Sequence, residues 1–182
     1  MIKKVAPVNC NVLIQGESGT GKELVARSIH RLSPRRNGPF VSFNCGGFTE
    51  DLICNELFGH EKGAFTGAYF KRLGKFEQSN QGTIFLDEIT EIPIELQAKL
   101  LRVIQEREFE RVGGNTLIPF TGRLLSSSNR NIEQAIKENR LREDLYFRLN
   151  VLTIHIPPLR HRLDDLPGLC RFFMDHLTQG EK

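Results

Sequence analysis

Five short apolar runs recur along the chain, and each ends abruptly at polar or small residues. They lie at Val12-Leu13-Ile14, Pro39-Phe40-Val41-Ser42-Phe43 and Thr83-Ile84-Phe85-Leu86, within the strand read over Arg123-Leu124-Leu125-Ser126-Ser127-Ser128, and at Val151-Leu152-Thr153-Ile154-His155-Ile156. Runs this short, without polar alternation, predict strands buried on both faces, as in a parallel sheet. Stretches of helical period lie between them. Leu24, Val25, Ser28, Ile29 and Leu32 share a face over residues 22–32, which Ser33-Pro34 stops. Thr49 looks like the cap of a helix carrying Leu52, Ile53, Leu57 and Phe58, and residues 73–79 are a short helix candidate. Leu96, Leu100, Leu101, Val103 and Ile104 form the apolar face of a helix over 95–106. Residues 109–115 read as a short strand entering a turn, and helices are predicted over 132–139 and 141–149. After Pro157-Pro158, Asp165 caps a closing helix with Leu166, Leu169, Cys170 and Phe173 in phase. Strand and helix in alternation predict an α/β fold, a five-stranded sheet flanked by helices.

Length and composition narrow this picture. A chain of 182 residues suits one α/β domain, or one plus part of another. With 39% hydrophobic and 26% charged residues it can bury a real core. The net charge of +3, without a long basic run, gives no support to nucleic-acid binding by charge alone. No apolar run approaches the length of a membrane span, and residues 1–7 lack the apolar centre of a secretory signal. Cys10, Cys45, Cys54 and Cys170 show neither C-x-x-C spacing nor histidine partners, so reduced and mostly buried thiols in a cytoplasmic protein are expected.

The chemistry begins at Gly16-Glu17-Ser18-Gly19-Thr20-Gly21-Lys22-Glu23. A strand precedes it and a helix follows, which is the arrangement of a phosphate-binding loop. Glycines let successive N–H groups turn inward around an anion, the helix start adds partial positive charge, and Lys22 adds a full one. Glu23 stands where Ser or Thr would ordinarily bind magnesium. Downstream, the strand ending in Asp87-Glu88 puts two carboxylates on the ligand side of a parallel sheet. Asp87 is placed to hold Mg2+, and Glu88 to take a proton from an attacking water; the alternative for both is a helix cap. Asn44 and Asn129 also end strands, where each could face a ligand or simply cap a turn. The loop Gly63-Ala64-Phe65-Thr66-Gly67-Ala68 carries an apolar tip between glycines. An exposed Phe65 would want a partner, although physics alone favours its burial in its own core. Arg142 and Arg148, six apart, would lie about 120° apart on one helix and could not reach one phosphate without a bend; Asp144 and Arg148 could form an ordinary i,i+4 pair.

These motifs together resemble one family. Gly16–Glu23 (GESGTGKE), Glu56-Leu57-Phe58-Gly59-His60, GAFTGA at 63–68, GTIFLDE at 82–88, FERVGG at 109–114 and LREDLYFRLN at 141–150 closely resemble the AAA+ ATPase domain of bacterial sigma-54-dependent transcriptional activators, the bacterial enhancer-binding proteins. GAFTGA is nearly diagnostic. The resemblance implies a P-loop NTPase of AAA+ type, with a core over residues 1–157 and the start of a helical lid over 158–182. It implies ATP and Mg2+ as ligands, and a hexameric ring that hydrolyses ATP to remodel the sigma-54 RNA polymerase closed complex toward the open one. Phe65 and Thr66 then look like sigma-54 contacts, which overrules the core reading of Phe65. Asn44 looks like the switch asparagine that relays the γ-phosphate state through Glu88, and Ser128-Asn129 like sensor I. Arg142 and Arg148 look like arginine fingers acting on a neighbour's ATP, which removes the need to meet at one phosphate. Two-component signalling is the regulatory setting that the family implies.

The same resemblance sets expectations for what is missing. The lid and its sensor II arginine are expected beyond residue 182, a regulatory domain before residue 1, and a DNA-binding domain after the lid. The alternative from a different class is a truncated chain that binds nucleotide without hydrolysing it.

Overall fold

A computed structural model describes residues 1–179. The five apolar runs form one parallel sheet: β1 (Val12–Gln15), β2 (Phe40–Asn44), β3 (Thr83–Asp87), β4 (Arg123–Ser128) and β5 (Leu152–His155), in the order β2-β3-β4-β1-β5. Both faces are covered, which explains the apolar runs. Along β1 and β3 the side chains divide between two cores. Leu13, Ile84 and Leu86 enter one with Phe43, Leu100 and Leu145, whereas Val12, Ile14 and Phe85 enter the other with Ala26, Ile29 and Leu125.

The main helices are α1 (Lys22–Arg31), α2 (Glu50–Phe58), α3 (Ile94–Glu106), α4 (Glu143–Leu149) and α5 (Leu166–Gln179); shorter helical segments include Ile2–Val5 and Ile132–Lys137, the latter where a helix is expected over 132–139. Several sequence expectations need correction. The buried face of α1 runs through Lys22, Ala26, Ile29 and His30, while Leu24 and Leu32 stand exposed. The helix begins on the phosphate loop, and the i, i+4, i+7, i+8 row starting at Lys22 is the one that meets the sheet. The candidate helix over 73–79 shrinks to Lys75–Gln78, because Arg72–Leu73 pairs antiparallel with Gly59–His60 instead. The strand after α3 is two residues long, Glu108–Phe109, paired with Ile118–Pro119. The helix expected over 141–149 starts at Glu143, and Arg142 is its extended N-cap. Arg142 and Arg148 therefore do not share a helix, and the angle expected between them does not apply. Asp144 pairs with Arg142 rather than Arg148. All four cysteines are free, but Cys45 alone is buried. No helix among the described residues is long and apolar enough to cross a membrane.

Near the N-terminal end of the sheet His30 is buried between α1 and β3, with Nδ1 2.9 Å from the Thr83 hydroxyl and its ring 5.3 Å from Phe40. Burial disfavours the charged imidazolium and holds its pKa below the ordinary value; the Gly38 backbone contact opposes this and Arg27 and Arg31 add to it. The unfolded chain therefore binds the proton more readily than the folded one. His30 contributes stability above the ordinary histidine range, and this is lost as pH falls through it. The melting temperature of the wild type should thus fall more steeply between pH 8 and pH 5 than that of His30→Gln, and parallel curves would remove His30 from the account.

Candidate functional site

Parallel pairing brings the strand ends to one edge, and the polar residues meet there. Asn44 and Asp87 are register partners, and Leu86 pairs with Ser126, so Asp87 lies beside Ser127. The Asn44 amide donates to Asp87 Oδ2 at 3.3 Å, and the Ser127 hydroxyl donates to Oδ1. Asn44 Oδ1 accepts from the Gly46 N–H at 2.7 Å. Glu88 leaves the strand with φ 57° and ψ 53°, a left-handed conformation that costs a non-glycine residue about 1 kcal/mol. Its N–H donates to Ser127 Oγ at 3.1 Å, and its Oε1 accepts from the Asn129 amide at 3.0 Å. A Cβ added to Gly46 would come within 2.7 Å of Glu88 Oε2, so only a glycine leaves that carboxylate its place. Cys45, buried beside these groups, has its thiol pushed far up by desolvation and by the Asp87 and Glu88 charges, and is inert.

Next to this cluster the loop over 16–21 turns through Gly19 and Gly21, both at positive φ, into α1. Lys22 is buried, and its ammonium donates to the Gly16 and Glu17 carbonyls, both at 3.0 Å, so the charge sits inside the curve of the loop. Glu23 faces away into an i,i+4 pair with Arg27. A cleft of about 580 Å³ runs from Gly16 and Glu17 past Asn129 and Arg130 to Tyr146 and His155. Two residues that the sequence reading did not single out cover the loop. Arg160 forms a two-pronged bond to Glu17 at 2.6 and 2.8 Å, which lowers the Glu17 pKa, and Arg162 donates to the Thr20 carbonyl at 2.8 Å. Nothing in their spacing marks them, since both lie beyond the double proline.

The donor set fits a magnesium–nucleotide. Both Asp87 oxygens already accept one hydrogen bond, which orients the carboxylate. Among the described residues no three His, Cys, Asp or Glu side chains converge on a metal position. One oriented carboxylate without a protein cage suits an ion that keeps its waters and leans on phosphates.

Arg142, Arg148 and the 63–68 loop lie apart from these hydrogen bonds. Arg142 is anchored by its own N–H to Gln97 Oε1 at 2.8 Å, and its guanidinium holds Asp144 at 2.7 and 3.0 Å. Arg148 is exposed and forms no ion pair among the described residues. In the loop, Gly63 and Gly67 both take positive φ, and the Gly63 N–H closes onto the Ala68 carbonyl at 2.8 Å. Phe65 is 46% exposed and rests edge-on against His60 at 5.0 Å, so it is not a core residue; Thr66 is exposed and Ala68 buried. The 111–114 turn backs the loop so closely that a Cβ on Gly113 would meet Ala64 at 2.7 Å. Arg111, buried, clamps this turn to Glu61 and Glu77, both at 2.6 Å.

Known proteins resemble the chain over nearly its full length. The profile of the sigma-54 interaction domain matches residues 1–155. The chain is 54% identical over 174 residues to a Nif-specific regulatory protein of Herbaspirillum seropedicae, covering 96% of this chain and 32% of that protein. It is 56% identical over 173 residues to the sigma-54-dependent transcriptional activator SfnR of Pseudomonas putida, covering 95% of this chain and 47% of the relative. The chain thus spans less than half the length of these relatives. Among solved structures it superposes on NtrX of Brucella abortus in complex with ATP with a TM-score of 0.90 at 41% identity, covering 99% of this chain and 40% of that one. A P-loop NTPase domain of a sigma-54 activator from E. coli, at 19% identity and a TM-score of 0.58 over 87% of this chain and 90% of that one, shares the fold.

The Arg111 clamp leads to a measurable expectation. Removing the guanidinium leaves Glu61 and Glu77 facing each other without a cation, and Arg111→Met should lower unfolding stability by about 2 kcal/mol. Urea unfolding reads the loss, and faster proteolysis within residues 61–68 should accompany it.

Proposed function

The chain belongs to the sigma-54 interaction domain family, and on that premise we propose that it hydrolyses ATP in a ring to remodel sigma-54 RNA polymerase from the closed promoter complex to the open one. The observation that carries the chemistry is the bond between Asn129 and Glu88 at the same sheet edge as the Gly16–Lys22 loop. In this reading the loop N–H groups and the Lys22 ammonium bind the β- and γ-phosphates. Glu88 takes the proton from the attacking water, and Asn129 aims its carboxylate. The amide on Glu88 is that of Asn129, whereas Asn44 holds Asp87. We therefore place the γ-phosphate-sensitive contact of Glu88 at Asn129 and give Asn44 the task of orienting Asp87. Mg2+, held through Asp87, would neutralise charge on the phosphates.

Arg142 and Arg148 act on the ATP of the neighbouring subunit. Arg142 must first exchange Asp144 for phosphate, which makes its engagement dependent on assembly. Trans arginines raise hydrolysis by about 10³–10⁵-fold in other NTPases, so separated subunits should be slow. The loop over 63–68 is the part that touches the polymerase. Phe65 and Thr66 offer sigma-54 an aromatic and a hydroxyl contact on a glycine-hinged tip. We place the ring, of six subunits, in the cytoplasm, and assign binding of enhancer DNA to a part of the protein other than this chain.

Phosphate release per subunit should therefore rise steeply with protein concentration. Lys22→Ala should abolish it together with nucleotide binding, and Glu88→Gln should abolish it with binding retained. Binding without release at every concentration would leave a nucleotide-binding module and defeat the hydrolysis reading for this chain. In a longer protein that carries this domain, Thr66→Ala is expected to keep hydrolysis and lose open-complex formation on a sigma-54 promoter; loss of both together would rule out a separate coupling loop.

A further inference from the structure

The central strand β4 ends in three consecutive serines, an unusual content for a strand whose six residues are all buried. A buried hydroxyl is costly unless it is hydrogen-bonded, so each must be accounted for. Ser128 Oγ bonds the Arg130 carbonyl at 3.0 Å and accepts its N–H at 3.1 Å, which closes a local turn. Ser126 Oγ reaches the Val12 carbonyl on β1 at 3.5 Å. Ser127, fully buried, differs from both. Its hydroxyl proton goes to Asp87 Oδ1, and its oxygen accepts the Glu88 N–H. One side chain thus touches both acidic positions at the strand end.

We infer that Ser127 is a positioning residue for the magnesium–nucleotide, acting through Asp87 and Glu88; the inference rests on the site reading proposed above. Asp87 has two oxygens. Ser127 holds one and Asn44 the other, so the carboxylate plane is fixed and its remaining lone pairs point in set directions. Glu88 turns out of the sheet in a left-handed conformation, where its N–H has left the ladder. Ser127 supplies the missing acceptor and so stabilises the turn that carries Glu88 to Asn129. An alanine at 127 would leave the Glu88 N–H without a partner and let the Asp87 carboxylate rotate. A hydrogen bond to an ionised group is the stronger kind, so the effect on Asp87 should be measurable in metal affinity.

The test uses this chain and a fluorescent ATP analogue. The Mg2+ concentration for half-maximal tightening of binding should rise about tenfold in Ser127→Ala, the order expected for one lost hydrogen bond to a carboxylate. Affinity for the analogue in EDTA should stay at the wild-type level, which a merely unfolded or loosened site would not allow. Ser126→Ala, with the same chemistry on the same strand, should keep the wild-type Mg2+ midpoint, and Ser127→Thr should recover most of it. An unchanged midpoint in Ser127→Ala, or an equal shift in Ser126→Ala, overturns the assignment. Should Ser127→Ala fail to fold, Ser127→Cys, a weaker donor, must give an intermediate midpoint; a wild-type value there also overturns it. The readout is binding rather than turnover. A chain that binds magnesium–nucleotide and never releases phosphate would therefore defeat the hydrolysis reading while leaving Ser127 tested on its own terms.

Discussion

Parallel register is the constraint on which the site depends. Side chains alternate along a strand, so residues level with each other on neighbouring parallel strands point to the same side. The pairing of Asn44 with Asp87, and of Leu86 with Ser126, puts Asn44, Asp87 and Ser127 on one side of the sheet at one height. A slip of one residue in β2 would turn the Asn44 amide away from the carboxylate, and one in β4 would turn the Ser127 hydroxyl to the other face of the sheet. The two cores prevent such a slip, because Ile84 and Leu86 fill one and Phe85 the other. Burial of those three side chains is thus what aims Asp87.

That edge also concentrates the uncomfortable features of the fold. Glu88 occupies a left-handed conformation, a side chain on Gly46 would displace the Glu88 carboxylate, and the buried Cys45 thiol feels the charges of both acids. Each would be hard to explain in a purely structural strand end. Together they are what a site requires when two acids must be close, differently oriented and free of bulk. The price is met locally by Ser127, Asn44 and Asn129, whose polar atoms serve the acids rather than the sheet.

Much of this is legible in the sequence. The five strands, the loop before Lys22 and the strand-end positions of Asn44, Asp87 and Asn129 follow from apolar runs bounded by glycines and polar residues. The errors have a common cause: features set by tertiary partners rather than by period. The buried row of α1 starts at Lys22 because the loop fixes where the helix begins, and no periodicity count could choose it over the row through Leu24. Arg142 leaves its helix because Gln97, 45 residues earlier, binds its N–H. Arg111 appeared only as a letter in a motif, and its clamp on Glu61 and Glu77 needs the fold to bring three segments together. Ser127 did leave a trace, three hydroxyls in a row at the end of a strand that is buried throughout, which is the kind of inconsistency that marks a working position.

The connection between the two ends of the proposed machine is short and covalent. After Asn44 the chain passes Cys45 and Gly46 under the Glu88 carboxylate, enters α2 at Glu50 and leaves it at Phe58, one residue before Gly59-His60 and the base of the 63–68 loop. Nine helical residues span about 13 Å, and a helix of that length transmits displacement as a rigid piece. Ile53, Leu57 and Phe58 bind α2 into the core, so it is better suited to small shifts than to unfolding. At the far end, Arg111 ties the loop down through its ion pairs, and Gly113 backs it where an added Cβ would meet Ala64. In the proposed function, a change in what Glu88 touches would be passed along this segment to a loop held by an ion-pair clamp. For the loop to report nucleotide state, that clamp must be of comparable strength to the shift in Glu88 contacts, because a much stronger clamp would never yield and a much weaker one would never hold.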